Sequence, residues 1–268
     1  MPISCQHVLS CLRDFAPPRL ALDRDPTGLQ VGTADKKIAR VLTTLDLTLE
    51  VAEEARDLGA GLIISHHAVI YRPLKDLRTD RIRGRILETL IKHDIAVYVP
   101  HTALDITEGG LNDHLAQVVG IEAADVLEET DRTAEPPRGI GRIGRLAAPV
   151  ALRALAARVK ERLGAPGVRL TAPDLDADVH KIAVLCGDGR RYIDAAIFRG
   201  ADALVTGDID HHSALDARAR GLALVDVGHW ASERAAGEIL ANALRERLEG
   251  RDVEIVASQR STQPFTFV

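Results

Sequence analysis

Six of the ten histidines stand where chemistry could use them. His66-His67 closes the apolar run Gly61-Leu62-Ile63-Ile64-Ser65, which reads as a buried strand. Two imidazoles at a strand end cost solvation unless something uses them. His101 is followed four residues later by Asp105, and His229 by Glu233. On a helix that spacing sets imidazole and carboxylate on one face. Histidine nitrogen and carboxylate oxygen are common metal donors. Adjacent histidines can point apart and serve two ions, and a carboxylate can bridge them. Two ions about 4 Å apart polarise a substrate and generate hydroxide from water near neutral pH. The three stretches are therefore expected to meet around metal. A lone histidine is more often a surface or hydrogen-bonded core residue, and the H-x-x-x-E spacing alone is weak. It is the three clusters at strand ends that shift the balance, and there is no HExxH of a metallopeptidase.

Other residues leave alternatives open. His101 reads as a ligand, a general base or a partner that orients a ligand. His211-His212 reads equally as ligand, substrate contact or solvated helix start, because Asp210-His211-His212-Ser213 resembles a helix N-terminus. Gly187-Asp188-Gly189 could hold phosphate through backbone N–H groups, although a tight strand-to-helix turn is the plainer reading. His7, His93, His114 and His180 lack such context and are expected at the surface. Walker A, G-x-S-x-G and kinase motifs are absent.

The elements that must position these residues alternate between strand and helix. A helix is expected at 3–15, a strand at 37–46, a helix at 47–59 and a strand at 61–65. A loop at 68–79, a helix at 80–93, a strand at 95–100 and a helix at 112–119 follow. This order predicts an α/β fold with a largely parallel or mixed sheet, whose ligands bind beyond the carboxyl ends of strands. Residues 127–147, with Pro136-Pro137 and several glycines, read as a boundary or an edge hairpin. A helix at 149–163 and a variable segment at 165–179 lead to the next strand.

The second part echoes the first. Lys37-Ile38-Ala39-Arg40-Val41-Leu42 matches Lys181-Ile182-Ala183-Val184-Leu185, and Gly59-Ala60-Gly61-Leu62-Ile63-Ile64 matches Gly200-Ala201-Asp202-Ala203-Leu204-Val205. Two related α/β/α halves, 1–126 and 127–268, are expected to face each other about a pseudo-twofold axis.

Composition excludes several classes. With 268 residues, 46% of them hydrophobic, the chain can bury a large core or two, built from Ala, Val, Leu and Ile because aromatics reach only 3%. A net charge of -5 disfavours nucleic acid as a partner. Cys5, Cys11 and Cys186 are odd in number and form no CxxC, which predicts reduced thiols and a cytoplasmic protein. No apolar run suits a membrane span or a signal peptide.

Several motifs recur in a fixed order: Gly28-Leu29-Gln30-Val31-Gly32, Ser65-His66-His67, His101-Thr102-x-Leu104-Asp105, Glu108-Gly109-Gly110-x-Asn112-Asp113, Thr206-Gly207-Asp208, Gly228-His229-Trp230-Ala231-x-Glu233 and Thr262-x-Pro264-Phe265. Together they resemble the Nif-three-like dinuclear metal centre hexameric family, whose members are labelled GTP cyclohydrolase I type 2 homologues. The resemblance spans nearly the whole chain. It implies a two-metal site held by His66, His67, Asp105, His229 and Glu233; the mixed histidine and carboxylate donors suit Zn, Mn, Fe, Co or Ni, and His101 is the expected proton-transfer group if the protein is a hydrolase. It also implies a toroidal homohexamer acting on a nucleotide or phosphorylated small molecule. Longer members carry an inserted domain, for which this chain has no room. The sequence departs from the family pattern at Arg24-Asp25-Pro26-Thr27, Ala68, Ala103 and Trp230, none of them a proposed ligand. A metal-dependent hydrolase is the expected function, and a metal-binding ring-shaped assembly or regulatory protein is the alternative.

Overall fold

The computed structural model describes residues 2–131 and 134–268. The fold is mixed α/β, and the chain divides into two compact units. The first runs up to Thr107 and takes back Ala235–Thr262; the second is Glu108–Arg234 with Gln263–Val268. This differs from a division at residue 126. The helix Ala236–Arg247 packs on the strand Arg40–Thr44, and the strand Glu254–Ala257 pairs with it, so both belong to the first core. The helix Leu111–Val119 packs on the strands Asp178–Asp188 and Arg138–Ala151, so it belongs to the second.

In the first unit, Glu254–Ala257, Arg40–Thr44, Leu62–Ser65 and Ala96–Val99 lie parallel in that order, and Gly28–Val31 closes the edge antiparallel to Ala96–Val99. Leu62–Ser65 and Ala96–Val99 are buried throughout, the unbroken apolar pattern of strands covered on both faces. Leu42, Ile63 and Val97 meet Ala52, Leu87 and Leu90 of the helices Leu49–Asp57 and Ile82–Lys92 in one cluster. Each such Leu or Ile contributes roughly 1.5–3 kcal/mol on burial. Thr48 caps the helix Leu49–Asp57 by accepting a hydrogen bond from the Val51 N–H, which satisfies one of the first-turn donors. Gly84 in Ile82–Lys92 is required by close approach: a Cβ there would lie 1.8 Å from the Arg78 carbonyl oxygen. Gly84→Ala is therefore expected to destabilise. Overpacking of this kind costs about 1–3 kcal/mol, more than the gain of up to about 1 kcal/mol from better helix propensity. The urea midpoint reads the difference.

In the second unit the order is Glu122–Asp131, Arg138–Ala151, Asp178–Asp188, Ala203–Gly207, Ala223–Asp226, Arg169–Thr171. The third to fifth strands are parallel and the others pair antiparallel. The stretch 127–147 is thus part of an antiparallel pair at the sheet edge, apart from residues 132 and 133, which lie outside the described residues. The helix expected at 149–163 begins at Leu152, because Arg138–Ala151 continues as strand against Asp178–Asp188. The segment 165–179 contains the short edge strand Arg169–Thr171.

The two sheets share a pattern: Arg40–Thr44, Leu62–Ser65 and Ala96–Val99 of the first, like Asp178–Asp188, Ala203–Gly207 and Ala223–Asp226 of the second, are three successive parallel strands followed by an antiparallel edge strand, and the first sheet adds Glu254–Ala257 as a fourth parallel strand on the other side. By this pattern Leu62–Ser65 corresponds to Ala203–Gly207, and Ala96–Val99 to Ala223–Asp226. After Ala96–Val99 and after Ala223–Asp226 comes a five-residue helix, Thr102–Ile106 and His229–Glu233 respectively. Among the described residues, no helix is long and apolar enough to cross a membrane.

Candidate metal centre

The first unit gathers four of the expected residues at the carboxyl ends of its parallel strands. His66 and His67 leave Leu62–Ser65 with their N–H groups bonded to Thr44 O (3.0 Å) and Leu45 O (2.9 Å), so the backbone of the neighbouring strand fixes where both side chains start. His66 is 1% exposed. Its Nε2 lies 3.9 Å from Oδ1 of Asp105, which the helix Thr102–Ile106 carries inward. His101 precedes that helix with φ 38°, a left-handed backbone uncommon for a residue with a side chain. The His66, His67 and His101 rings lie 4.9–5.8 Å apart, and each offers a nitrogen within 4.8 Å of the others.

Carboxylates hold two of these rings by Nδ1. His67 Nδ1 is 2.7 Å from Asp46 Oδ1, and His101 Nδ1 bonds Asp25 Oδ1. An ionised carboxylate only accepts, so each of these rings donates from Nδ1, and Nε2 is the atom that would meet a metal ion. Asp25 also accepts from the Thr102 N–H (3.1 Å) and hydroxyl. Burial pushes the Asp25 carboxyl up, but the hydrogen bonds from His101 and Thr102 outweigh it and hold the group below the usual carboxylate range. A depressed folded-state pKa stabilises the fold above the ordinary value, and that contribution disappears as pH falls through the folded value. The stability gap between wild type and Asp25→Asn, read from urea midpoints, should therefore narrow below about pH 4. Gln30 ties this corner together: its Oε1 accepts from the Ile70 N–H (2.9 Å) and its Nε2 donates to Pro26 O (2.8 Å).

The second unit builds a matching corner from His229–Glu233. His229 Nε2 and Glu233 Oε2 are 3.0 Å apart, and Glu233 is 4% exposed. Asp208, after the strand Ala203–Gly207, bonds His229 Nδ1 at 2.8 Å. With carboxylates at both ring nitrogens, this imidazole suits a shared cation, either a proton or a metal ion. The helix is fastened to the strand Asp178–Asp188, since Gly187 N–H donates to Ser232 Oγ (2.9 Å) and Cys186 Sγ to Ser232 O (3.3 Å), while Cys186 N–H donates to Asn112 Oδ1 (2.9 Å) of the helix Leu111–Val119. Asp113 accepts from Gly109 N–H (2.7 Å) and from Arg142. The Gly109-to-Asp113 motif is therefore structural. Gly187 has φ +68°, and a Cβ there would lie 2.3 Å from Glu233 Oε1 and 3.2 Å from His229 Nε2. The backbone is thus shaped around these two donor groups.

The donor set in each unit, imidazole nitrogen with carboxylate oxygen, fits borderline divalent ions such as Zn, Mn, Fe, Co or Ni. Not every expected residue joins it. His211 and His212 are exposed at the start of the helix His211–Ala219, which Asp210 caps by accepting from Ser213 N–H (3.0 Å), the solvated helix start among the three readings. The N–H groups that Gly187-Asp188-Gly189 would offer a phosphate are used within the fold at both glycines, Gly187 donating to Ser232 Oγ (2.9 Å) and Gly189 to Gly207 O (3.4 Å), and Asp188 is paired with Arg190. His7 and His93 are exposed, whereas His114 and His180 are half-buried. Sequence reading missed Asp25, Asp46 and Asp208 as orienting partners. A signal was available for two of them: Asp46 and Asp208 sit just past parallel strand ends, and Asp208 lies inside the motif Thr206-Gly207-Asp208.

The model of the Duf34/NIF3 (NGG1p interacting factor 3) family matches residues 3–264. The chain belongs to this family. It is 41% identical over 264 residues to a Streptococcus pneumoniae protein named GTP cyclohydrolase 1 type 2 homolog, covering 97% of each chain. Among solved structures, a Bacillus cereus protein related to NIF3 superposes with a TM-score of 0.95 at 31% identity, covering 100% of this chain and 99% of that one. A Staphylococcus aureus hypothetical protein gives 0.92 at 30% identity over the full length of both. The two-unit α/β architecture is thus that of NIF3 proteins.

Proposed function

We propose that this NIF3 family member is a dinuclear metal-dependent hydrolase whose ligands are His66, His67 and Asp105 of the first unit and His229 and Glu233 of the second. The observation that carries the reading is the pairing inside each unit: a buried carboxylate on the five-residue helix after the corresponding strand, Asp105 or Glu233, beside an imidazole, His66 or His229. Two divalent ions bound there supply Lewis acidity and lower the pKa of water enough for it to act as a nucleophile at neutral pH. The chain's own part is to hold the donors. Asp46 and Asp208 fix His67 and His229 by Nδ1, which raises ligand basicity and sets the ring planes. His101 is placed to move a proton at Nε2, because Asp25 occupies its Nδ1 and the ring stands beside His66 and His67. The name borne by relatives supports GTP as the first substrate to try, with phosphoesters second. A toroidal homohexamer, two ions per chain and a cytoplasmic location belong to the same proposal, supported by the family resemblance and by three buried thiols outside any disulfide.

The test is a hydrolase assay on metal-loaded protein against GTP and phosphoesters. His101→Ala is expected to lower kcat by about 10²–10⁴-fold while metal content stays at the wild-type level. Turnover by wild type that His101→Ala leaves unchanged would remove His101 from the mechanism. Absence of turnover, together with ring disassembly in Glu233→Gln, would favour an assembly protein whose metal serves folding.

A further inference from the structure

The motif Thr262-x-Pro264-Phe265 lies far along the chain from every ligand proposed above, yet the fold brings its first residue to one of them. The strand Glu254–Ala257 pairs parallel with Arg40–Thr44, so the chain leaving it emerges at the end of the sheet where His66 and His67 stand. Past Ala257 the segment is pinned step by step. Ser258 N–H donates to Thr43 O (2.8 Å), Ser258 Oγ donates to Glu54 Oε2 (2.5 Å), and Gln259 N–H reaches Glu54 Oε1 (3.3 Å). Thr262 Oγ1 then donates to Asp46 Oδ2 at 2.5 Å, while Oδ1 of the same carboxylate takes the proton of His67 Nδ1 at 2.7 Å.

We propose that Thr262 is a positioning residue: it holds the Asp46 carboxylate in the plane that orients His67, so the segment 258–262 sets the metal affinity of the first unit. A carboxylate beside a strand end can rotate about its χ2, and rotation would swing Oδ1 away from the imidazole. A hydroxyl anchored on Oδ2 removes that freedom. Ser65 holds the other side of His67, with its Oγ 2.9 Å from His67 O. With backbone and Nδ1 both fixed, the direction of Nε2, the nitrogen that would meet a metal ion, is set before the ion arrives. A pre-oriented ligand loses less rotamer freedom on binding.

The inference rests on the dinuclear reading, and the experiment separates the two. Zinc affinity is measured by competition with a chromophoric chelator for wild type, Thr262→Val, Thr262→Ser and Asp46→Asn. Imidazole ¹⁵N shifts of the metal-free proteins report the His67 tautomer. Asp46→Asn should weaken zinc binding by about 10–100-fold, as loss of a ligand's orienting partner does. Thr262→Val should weaken it by about tenfold, the low end of that range, with a mixed His67 tautomer. Thr262→Ser should restore both. If Thr262→Val binds zinc as wild type does, or if Thr262→Ser fails to rescue it, the positioning role is overturned while the metal centre stands. If wild type binds no zinc, the dinuclear reading falls and takes this inference with it.

Discussion

Replacing His66 by alanine is expected to lower metal affinity by at least about 100-fold, beyond the 10–100-fold that loss of an orienting partner costs. His66 is the most enclosed imidazole of the cluster, held by its N–H to Thr44 O, with Nε2 3.9 Å from Asp105 Oδ1. That separation is too long for a hydrogen bond, and an ion coordinated by both groups would bridge it. Removing the imidazole leaves Asp105, 7% exposed, with one fewer donor beside it and nothing of similar chemistry in its place. Zinc-induced stabilisation reads this directly. A ligand at 100 times its Kd raises stability by about 2.7 kcal/mol, and most of that increment should vanish in His66→Ala. The metal-free proteins should show matching far-UV circular dichroism. An undiminished zinc-induced shift in the variant would exclude His66 as a ligand.

Gly187→Ala should have the second large effect, and a built-in control isolates its cause. Gly187 (φ +68°) and Gly200 (φ +69°) have nearly the same left-handed backbone. An alanine pays the left-handed penalty of about 1–2 kcal/mol at either position. At Gly200 nothing lies within 4 Å of the added Cβ, so strain is the whole cost. At Gly187 the Cβ falls 2.3 Å from Glu233 Oε1. Glu233 is buried and sits against His229, so its side chain has little room to yield. The clash should add about 1–3 kcal/mol and displace the carboxylate. Gly187→Ala is therefore expected to lose metal affinity as well as stability, whereas Gly200→Ala loses stability alone. Equal denaturation midpoints and equal zinc affinity in the two variants would contradict this account of the second unit's corner.

Much of the fold was legible because its core strands are short, apolar and regularly spaced. Leu62–Ser65 and Ala96–Val99 announced themselves by composition, and the histidines that follow them marked the functional end of the sheet. The two sheets share strand order, but the echo between Lys37-Ile38-Ala39 and Lys181-Ile182-Ala183 is out of register with it: Lys37–Ile38 pairs with Ile3–Ser4 in a separate two-stranded sheet, and Val41 beside Leu62 takes the place that Ile182 takes beside Ala203. The unit boundary was not legible, because it depends on pairing between residues more than two hundred positions apart, Glu254 with Arg40. Local pattern carries no information about such a partner. The long strand Arg138–Ala151 was hidden for a different reason: its glycines and Pro149 oppose strand propensity, and pairing on both sides overrides them.

The site was legible in its imidazoles and less so in their supports. H-x-x-x-D and H-x-x-x-E are local spacings, and both became five-residue helices with the acid turned inward. The carboxylates at Nδ1 come from other strands or loops: Asp46 is 21 positions from His67, and Asp25 is 76 from His101. Only the folded sheet brings them together. His211-His212 shows the converse, a conspicuous local pattern whose residues are exposed at the start of a capped helix.

The central claim is a two-metal centre, and its most direct test is metal content per chain, measured by elemental analysis on gently purified and on zinc-reconstituted protein, with Glu233→Gln alongside. The account predicts two ions per chain in wild type and a clear loss in the variant. One ion per chain, or none after reconstitution, or a Glu233→Gln protein that keeps both, would contradict it.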